Sequence, residues 1–309
     1  MKCPLCMGLE SIELESIRIC ELVKMWKRHF RINIKNLYMG NNVLIFKECK
    51  QCGLRYFNPL IAGDETIYNN LQKFDWYYPI SRPEFEYVKQ FVHESDCVLE
   101  IGAGYGKFGK MIQAKEYTGL ELNPQAVSVG VKNGIKLYNQ TIEEHVQKFP
   151  EKYDIVCSLH VLEHVVDVHS FIENSMKCLK TTGLLIYSVP SEDSYVSLVP
   201  NALQLLNMPP HHLTRWTDKA INNLTTLFPL EIEKINYTSS KKDIFYSSTV
   251  VYRAMNKILK RKYNYLDSSW CGEFLYKLSL LSGKFYLLGL EDEKLLPRGG
   301  AVNIVFRKK

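Results

Sequence analysis

From Cys97 to Pro190 the chain repeats one pattern: a short apolar run, an amphipathic stretch, and another short apolar run. CVLEIG, YTGLEL, IKLYNQ, YDIVCSL and GLLIYSVP read as strands. GKFGKMIQAK, PQAVSVGVKNG, TIEEHVQKF and SFIENSMKCLK read as the helices between them. Strands joined through helices pair in parallel, and a parallel sheet needs cover on both faces. The pattern therefore predicts an α/β fold, a Rossmann-like, doubly wound, mostly parallel sheet. TDKAINNLTTLF adds a helix and LEIEKINYTS a strand, and AVNIVFRK is a last strand and a candidate for the sheet edge. The expected organisation is a cysteine-bearing module over 1–62, a core over 63–240, a helical insertion over 241–297 and the final core strand over 298–309.

The first strand of this run leads into VLEIGAGYGKFGK, where Gly102, Gly104 and Gly106 alternate and Gly109 follows. A parallel sheet binds ligands at the carboxyl ends of its strands, beside the point where strand order reverses. Glycines there let a ligand approach the backbone, since no Cβ intervenes. Two ligands suit such a turn: the pyrophosphate of a dinucleotide at a helix N-terminus, or the cationic amino-acid end of S-adenosylmethionine. The third glycine of the dinucleotide pattern would fall at Lys107. Glu100, inside the strand, would repel pyrophosphate but favour a cation. Glu121, at the end of the next strand, can accept hydrogen bonds from both hydroxyls of a ribose. These details favour S-adenosylmethionine and leave a nicotinamide-dependent oxidoreductase as the weaker alternative.

With VLEIGAGYG, YTGLELNP, FPEKYDIVCSLHVLEHVVDV and LKTTGLLIYSVP together, the sequence resembles the class I S-adenosylmethionine-dependent methyltransferases. The resemblance implies cofactor binding by Glu100, Gly102, Ala103, Gly104 and Gly106, with Glu121 on the ribose and Leu122 beside it. It also implies that Asn139 to Ile142, with Gln140 and Thr141, border the adenine, and that Ser158 to His160 line the methionine end. CPLC and CKQCG before this core, and PPHHLTRWT after its fifth strand, look like bacterial methyltransferases of sugar and cell-surface glycan pathways. That narrower resemblance implies O-methylation of a sugar, sugar nucleotide or glycan intermediate, with C- or N-methylation of a nucleotide sugar as the alternative.

Nine cysteines occur in a chain that shows no signal peptide's apolar core, so a reducing, cytoplasmic setting is expected. Cys3, Cys6, Cys49 and Cys52 form two C-x-x-C knuckles, the second followed by Gly53. Two such knuckles supply four thiolates in tetrahedral array, the ligand set of structural zinc. A fully thiolate-ligated ion has no open position, so no catalytic role is expected for it.

A hydroxyl acceptor needs a group to remove its proton, and histidine titrates in the right range. HVLEH places His160, Glu163 and His164 just past the fourth core strand, and MPPHHLTRW places His211 and His212 after the fifth. His211 or His212 is the favoured base. Glu163, His164 and the PPHH loop could alternatively hold a divalent ion that polarises the acceptor. Trp76, Tyr77, Tyr78 and Trp216 flank this region and suit either sugar stacking or packing.

The net charge is only +6 and no long basic run occurs, so nucleic acid is not an expected partner, and a small molecule is. Arg253, Lys257, Lys260, Arg261 and Lys262 gather on one amphipathic stretch of the insertion. Such a helix can lie on an anionic membrane, but is more often a solvated face or a contact between copies of the chain.

Overall fold

A computed structural model describes residues 1–74, 82–194, 205–239, 244–261, 266–267, 269–287 and 298–309. Trp76, Tyr77, Tyr78 and Lys262 lie outside the described residues. The N-terminal part comprises β1 (Ser11–Arg18), α1 (Ile19–Phe30), β2 (Val43–Cys49) and β3 (Arg55–Asn58). Ile19, Leu22, Met25 and Trp26 form the buried stripe of α1, packed against Leu44, Phe46 and Phe57 of the strands. Next come α2 (Glu65–Leu71), capped by the Asp64 carboxylate, and α3 (Pro83–Lys89), which begins on a proline that has no amide to leave unpaired.

The core then alternates as its sequence pattern requires: β4 (Cys97–Ile101), α4 (Lys107–Met111), β5 (Glu116–Leu120), α5 (Pro124–Lys132), β6 (Leu137–Tyr138), α6 (Ile142–Val146), β7 (Tyr153–Leu159), α7 (Val168–Cys178) and β8 (Leu179–Pro190). After β9 (Thr214–Arg215) follow α8 (Asp218–Leu227), β10 (Leu230–Ser239), α9 (Ile244–Ile258), α10 (Trp270–Leu287) and β11 (Arg298–Lys308). The seven-stranded sheet runs β10-β11-β8-β7-β4-β5-β6. Pairing is parallel from β6 to β8, and β11 lies antiparallel to both neighbours. A dinucleotide-binding sheet has the order 3-2-1-4-5-6; here the last strand inserts before the sixth and reverses direction.

One expectation changes, and the first module packs directly on the core. The last strand is not at the edge. Val302 to Phe306 are at most 1% exposed, so both faces are covered, and β10 takes the edge. Residues on both sides of position 62 pack together. Cys3, Leu5, Cys49, Cys52 and Tyr56 share one buried cluster with Leu99, Tyr187 and Trp216. β9, from the loop after β8, completes the first sheet by pairing Arg55 with Arg215 and Tyr56 with Thr214. Trp216 is thus core packing rather than a stacking platform. No helix among the described residues is long and apolar enough to cross a membrane.

Candidate active site

Strand order reverses at β4, which lies between β5 and β7. A cleft of about 520 Å³ opens at that carboxyl end, a volume suited to a nucleoside-sized ligand. Gly102, Glu121, Leu122, Gln140, Thr141, Ile142, His160 and His164 line it, as do Gly63 and Tyr68 from the segment around α2. A smaller recess, lined by Glu100, Ala103, Gly104, Lys107 and His160, adjoins it through Gly102. Most of the residues expected around a cofactor thus meet in one place. Gly106 and Ser158 do not: Gly106 starts α4 in a left-handed conformation (φ 73°), and Ser158 is fully buried beneath the cleft. Gly102 has φ 78°, and a Cβ there would sit 2.2 Å from Val161 Cγ2, so no other residue fits this turn.

Glu121 is held by backbone. The Gly104 amide donates to one carboxylate oxygen and the Asn123 amide to the other, both at 2.8 Å. The adenine-side segment is fixed as well: Asn139 Nδ2 donates to the Glu121 and Leu122 carbonyls, and Thr141 with Glu144 forms a capping box on α6. Glu100 is buried at 3% exposure and accepts a hydrogen bond from the Tyr117 hydroxyl. Burial pushes its carboxyl up to about 8, against the lowering effect of Tyr117.

The histidine cluster is built from three segments: α3, the turn after β7 and the loop before β9. His160 stands between two carboxylates, Nε2 3.6 Å from Glu84 of α3 and Nδ1 3.4 Å from Glu163. Burial disfavours its charge, but the two acids prevail and raise it to about 9, so it is an imidazolium at neutral pH. Glu163 is 1% exposed; burial opposes its charge, yet His160 and His164 hold it below the usual carboxylate range. His164 donates from Nδ1 to the His211 carbonyl at 2.6 Å, which leaves Nε2 as the acceptor nitrogen. Burial pushes His164 below its ordinary value, with Glu163 opposing.

His211 and His212 lie behind this wall. Among the described residues they do not line the cleft, whereas His164 does. Nδ1 of His211 donates to the Leu206 carbonyl at 2.8 Å, and Nδ1 of His212 to Asn207 Oδ1 at 2.7 Å. Burial holds both well below the ordinary histidine value. Ligand atoms of His164, His211 and His212 lie within 4.8 Å of one another, but the His211 and His212 rings stack with planes only 18° apart. The lone pairs of these two rings therefore lie in nearly parallel planes, and Nδ1 of each is already engaged in a hydrogen bond.

Glu84, Asn207 and Arg215 had no signal in the sequence pattern. Arg215 donates twice to the Asn207 carbonyl, at 3.0 and 2.7 Å, and lies over the Phe46 ring. Its carboxylate neighbour Glu192 also binds Arg55 of β3 at 3.0 Å. The N-terminal sheet thus reaches the histidine loop through Arg215 and Asn207.

The cysteine quartet is assembled. Sγ of Cys3 lies 3.6 Å from that of Cys52, and Sγ of Cys6 lies 3.5 Å from that of Cys49. Tetrahedral zinc with Zn–S of about 2.3 Å needs sulfurs about 3.8 Å apart, so the four thiols fit the ion with little movement. Gly53 turns the second knuckle at φ 80°. The core holds both knuckles: His169 Nδ1 donates to the Leu5 carbonyl at 2.8 Å, and Thr217 donates to the Gly53 carbonyl at 3.0 Å.

Residues 82–238, half of the chain, match a family model described as a methyltransferase domain. The chain therefore belongs to this family of methyltransferase domains. That membership removes the nicotinamide-dependent alternative. A ubiquinone biosynthesis O-methyltransferase of Proteus mirabilis is 29% identical over 123 residues, covering 37% of this chain and 50% of that protein. One of the same name from Hydrogenovibrio crunogenus is 27% identical over 168 residues, covering 51% of this chain and 68% of that protein. The chain thus spans about half the length of the first of these relatives. An S-adenosylmethionine-dependent methyltransferase structure from Archaeoglobus fulgidus is 16% identical with a TM-score of 0.46, covering 72% of this chain and 94% of that one.

Proposed function

We propose that the protein transfers a methyl group to an oxygen of a small hydroxylated molecule, with His164 as proton acceptor and a structural zinc ion on Cys3, Cys6, Cys49 and Cys52. The observation that carries this reading is a neutral imidazole at the cleft wall, its Nδ1 committed to a backbone carbonyl, beside the glycine turn. When bound, S-adenosylmethionine supplies a methyl group on a sulfonium, open to in-line displacement by the acceptor oxygen. Glu121 orients the ribose, and Gly102, Ala103 and Gly104 with Glu100 receive the methionine end. Gln140, Thr141, Ile142 and Leu122 border the adenine. As the oxygen–carbon bond forms, His164 Nε2 takes the hydroxyl proton. His160, already charged, fixes Glu84 and Glu163 around the site and is not the base.

The relatives' names specify O-methylation, which supports oxygen as the methylated atom; they name ubiquinone biosynthesis and lend no support to a sugar. The test is a turnover screen of hydroxylated aromatics, nucleotide sugars and glycan fragments, with mass spectrometry locating the methyl group. Methyl on carbon or nitrogen, or no turnover of any hydroxyl acceptor by cofactor-binding protein, defeats the oxygen reading.

Two predictions concern the cofactor. Glu121→Ala is expected to weaken S-adenosylmethionine binding by about 1–3 kcal/mol, through loss of charge-assisted bonds to the ribose. Calorimetry on the folded variant checks this, and unchanged affinity removes the ribose role. Glu100 gives a pH signature. With its carboxyl near 8 and mostly protonated at neutral pH, binding a cation beside it releases up to about one proton. Affinity should therefore rise with pH through the neutral range and level off above that value. Glu100→Gln should abolish this part of the pH dependence; identical profiles for variant and wild type would show that Glu100 does not face the cation.

A further inference from the structure

The two helices after β10 carry an outward face unlike a solvated one. Trp270, Phe274, Leu278 and Leu281 recur on successive turns of α10 as one stripe, 77, 52, 38 and 62% exposed. The Trp270 and Phe274 rings stack 5.7 Å apart. At the end of α9, Ile258 and Leu259 are 78 and 52% exposed. Arg261, just past α9, donates to Asp267 at 3.1 Å and to Ser269 at 2.8 Å, just before α10. The apolar end of α9 and the first turn of α10 therefore lie side by side.

The opposite face is already used. Tyr252, Leu275 and Tyr276 pack together between the helices, and Leu266 enters the cluster beneath α1. Glu273 is buried and pairs with Arg28 of α1 at 2.6 Å. The hairpin is thus anchored to the N-terminal part with its apolar stripe outward.

Charge selects the occupant. Arg253, Lys257, Lys260 and Lys277 are exposed around the stripe. Glu273 is the only carboxylate in α9 and α10, and it is turned inward. A second copy of the chain docked on this face would set one basic patch against the same basic patch, with no exposed carboxylate from either helix to offset it. An anionic lipid surface neutralises these basic residues, and its headgroup region accepts Trp and Phe. We propose that this face docks on an anionic membrane surface, the hairpin lying in the interface without spanning it. The inference goes beyond methyl transfer and does not depend on it.

Sedimentation of the full-length protein with vesicles tests it. The protein should bind phosphatidylcholine–phosphatidylserine vesicles, bind pure phosphatidylcholine far less, and release as salt rises. Trp270→Glu with Phe274→Glu, and separately Lys257→Glu with Lys260→Glu, should each weaken partitioning roughly tenfold or more. Melting temperature and S-adenosylmethionine affinity should stay as in the wild type. Absence of wild-type binding, or equal binding to both vesicle types, overturns the proposal. So does a concentration-dependent dimer that Trp270→Glu breaks while vesicles bind nothing. Because the lysine variant alters only exposed side chains, its folding is secure even if the aromatic variant misfolds.

Discussion

His164→Ala is expected to lower turnover by about 10²–10⁴ while leaving S-adenosylmethionine affinity nearly intact. The magnitude follows from its position. His164 is at the cleft wall, its Nδ1 donates to the His211 carbonyl, and its acceptor nitrogen is the one that remains. Burial holds it neutral below the ordinary histidine range, so the acid limb of the pH–rate profile should lie below about 6.5. Below that limb the imidazole is protonated and cannot accept, so rate falls as pH falls. His211→Ala and His212→Ala should act more weakly, by loosening the loop that holds His164. Single-turnover kinetics on the three variants decides the matter. If His164→Ala turns over at the wild-type rate and His212→Ala does not, the base is in the PPHH loop, as the sequence favoured.

Cys49→Ser should abolish metal binding and destabilise the whole chain, by on the order of 4 kcal/mol or more. Elemental analysis of wild-type protein purified without chelator should find one zinc per chain, and the variant should have none. The large cost has a structural cause. Cys3, Cys49 and Cys52 are at most 1% exposed and sit in the same cluster as Tyr56, Trp216 and the sheet residues Leu99 and Tyr187. Loosening the knuckles exposes that cluster and frees β3, which carries β9 and, through Arg215, Asn207. The melting temperature should therefore drop for the core as well as for the N-terminal strands. A variant that keeps full zinc content and wild-type melting would show that Cys49 is not a ligand.

Much of this protein is written locally in its chain. The strand–helix alternation from Cys97 to Pro190 was legible because a side chain's burial follows its position in a strand or helix, and those periods differ. The turn at Gly102, the acid at Glu121 and the paired knuckles were legible because each needs particular residue types at short, fixed spacing. Helix lengths were less so: α4 ends at Met111 although GKFGKMIQAK continues the pattern, since the backbone turns extended at Ile112 towards β5.

Other features depended on contacts between distant segments, which no local pattern encodes. β11 enters the sheet between β8 and β10 because both its faces find apolar cover there. The sheet of the first module is completed by two residues, Thr214 and Arg215, from more than 150 residues away. The histidines show the difference most clearly. Sequence spacing put five candidate groups at the ligand end of the sheet. Only tertiary packing set Glu84 of α3 beside His160, making it a cation, and turned His164 to the cleft with His211 and His212 behind. Proton affinity and access to a ligand are set by burial and by neighbours in space, and those are properties of the folded chain.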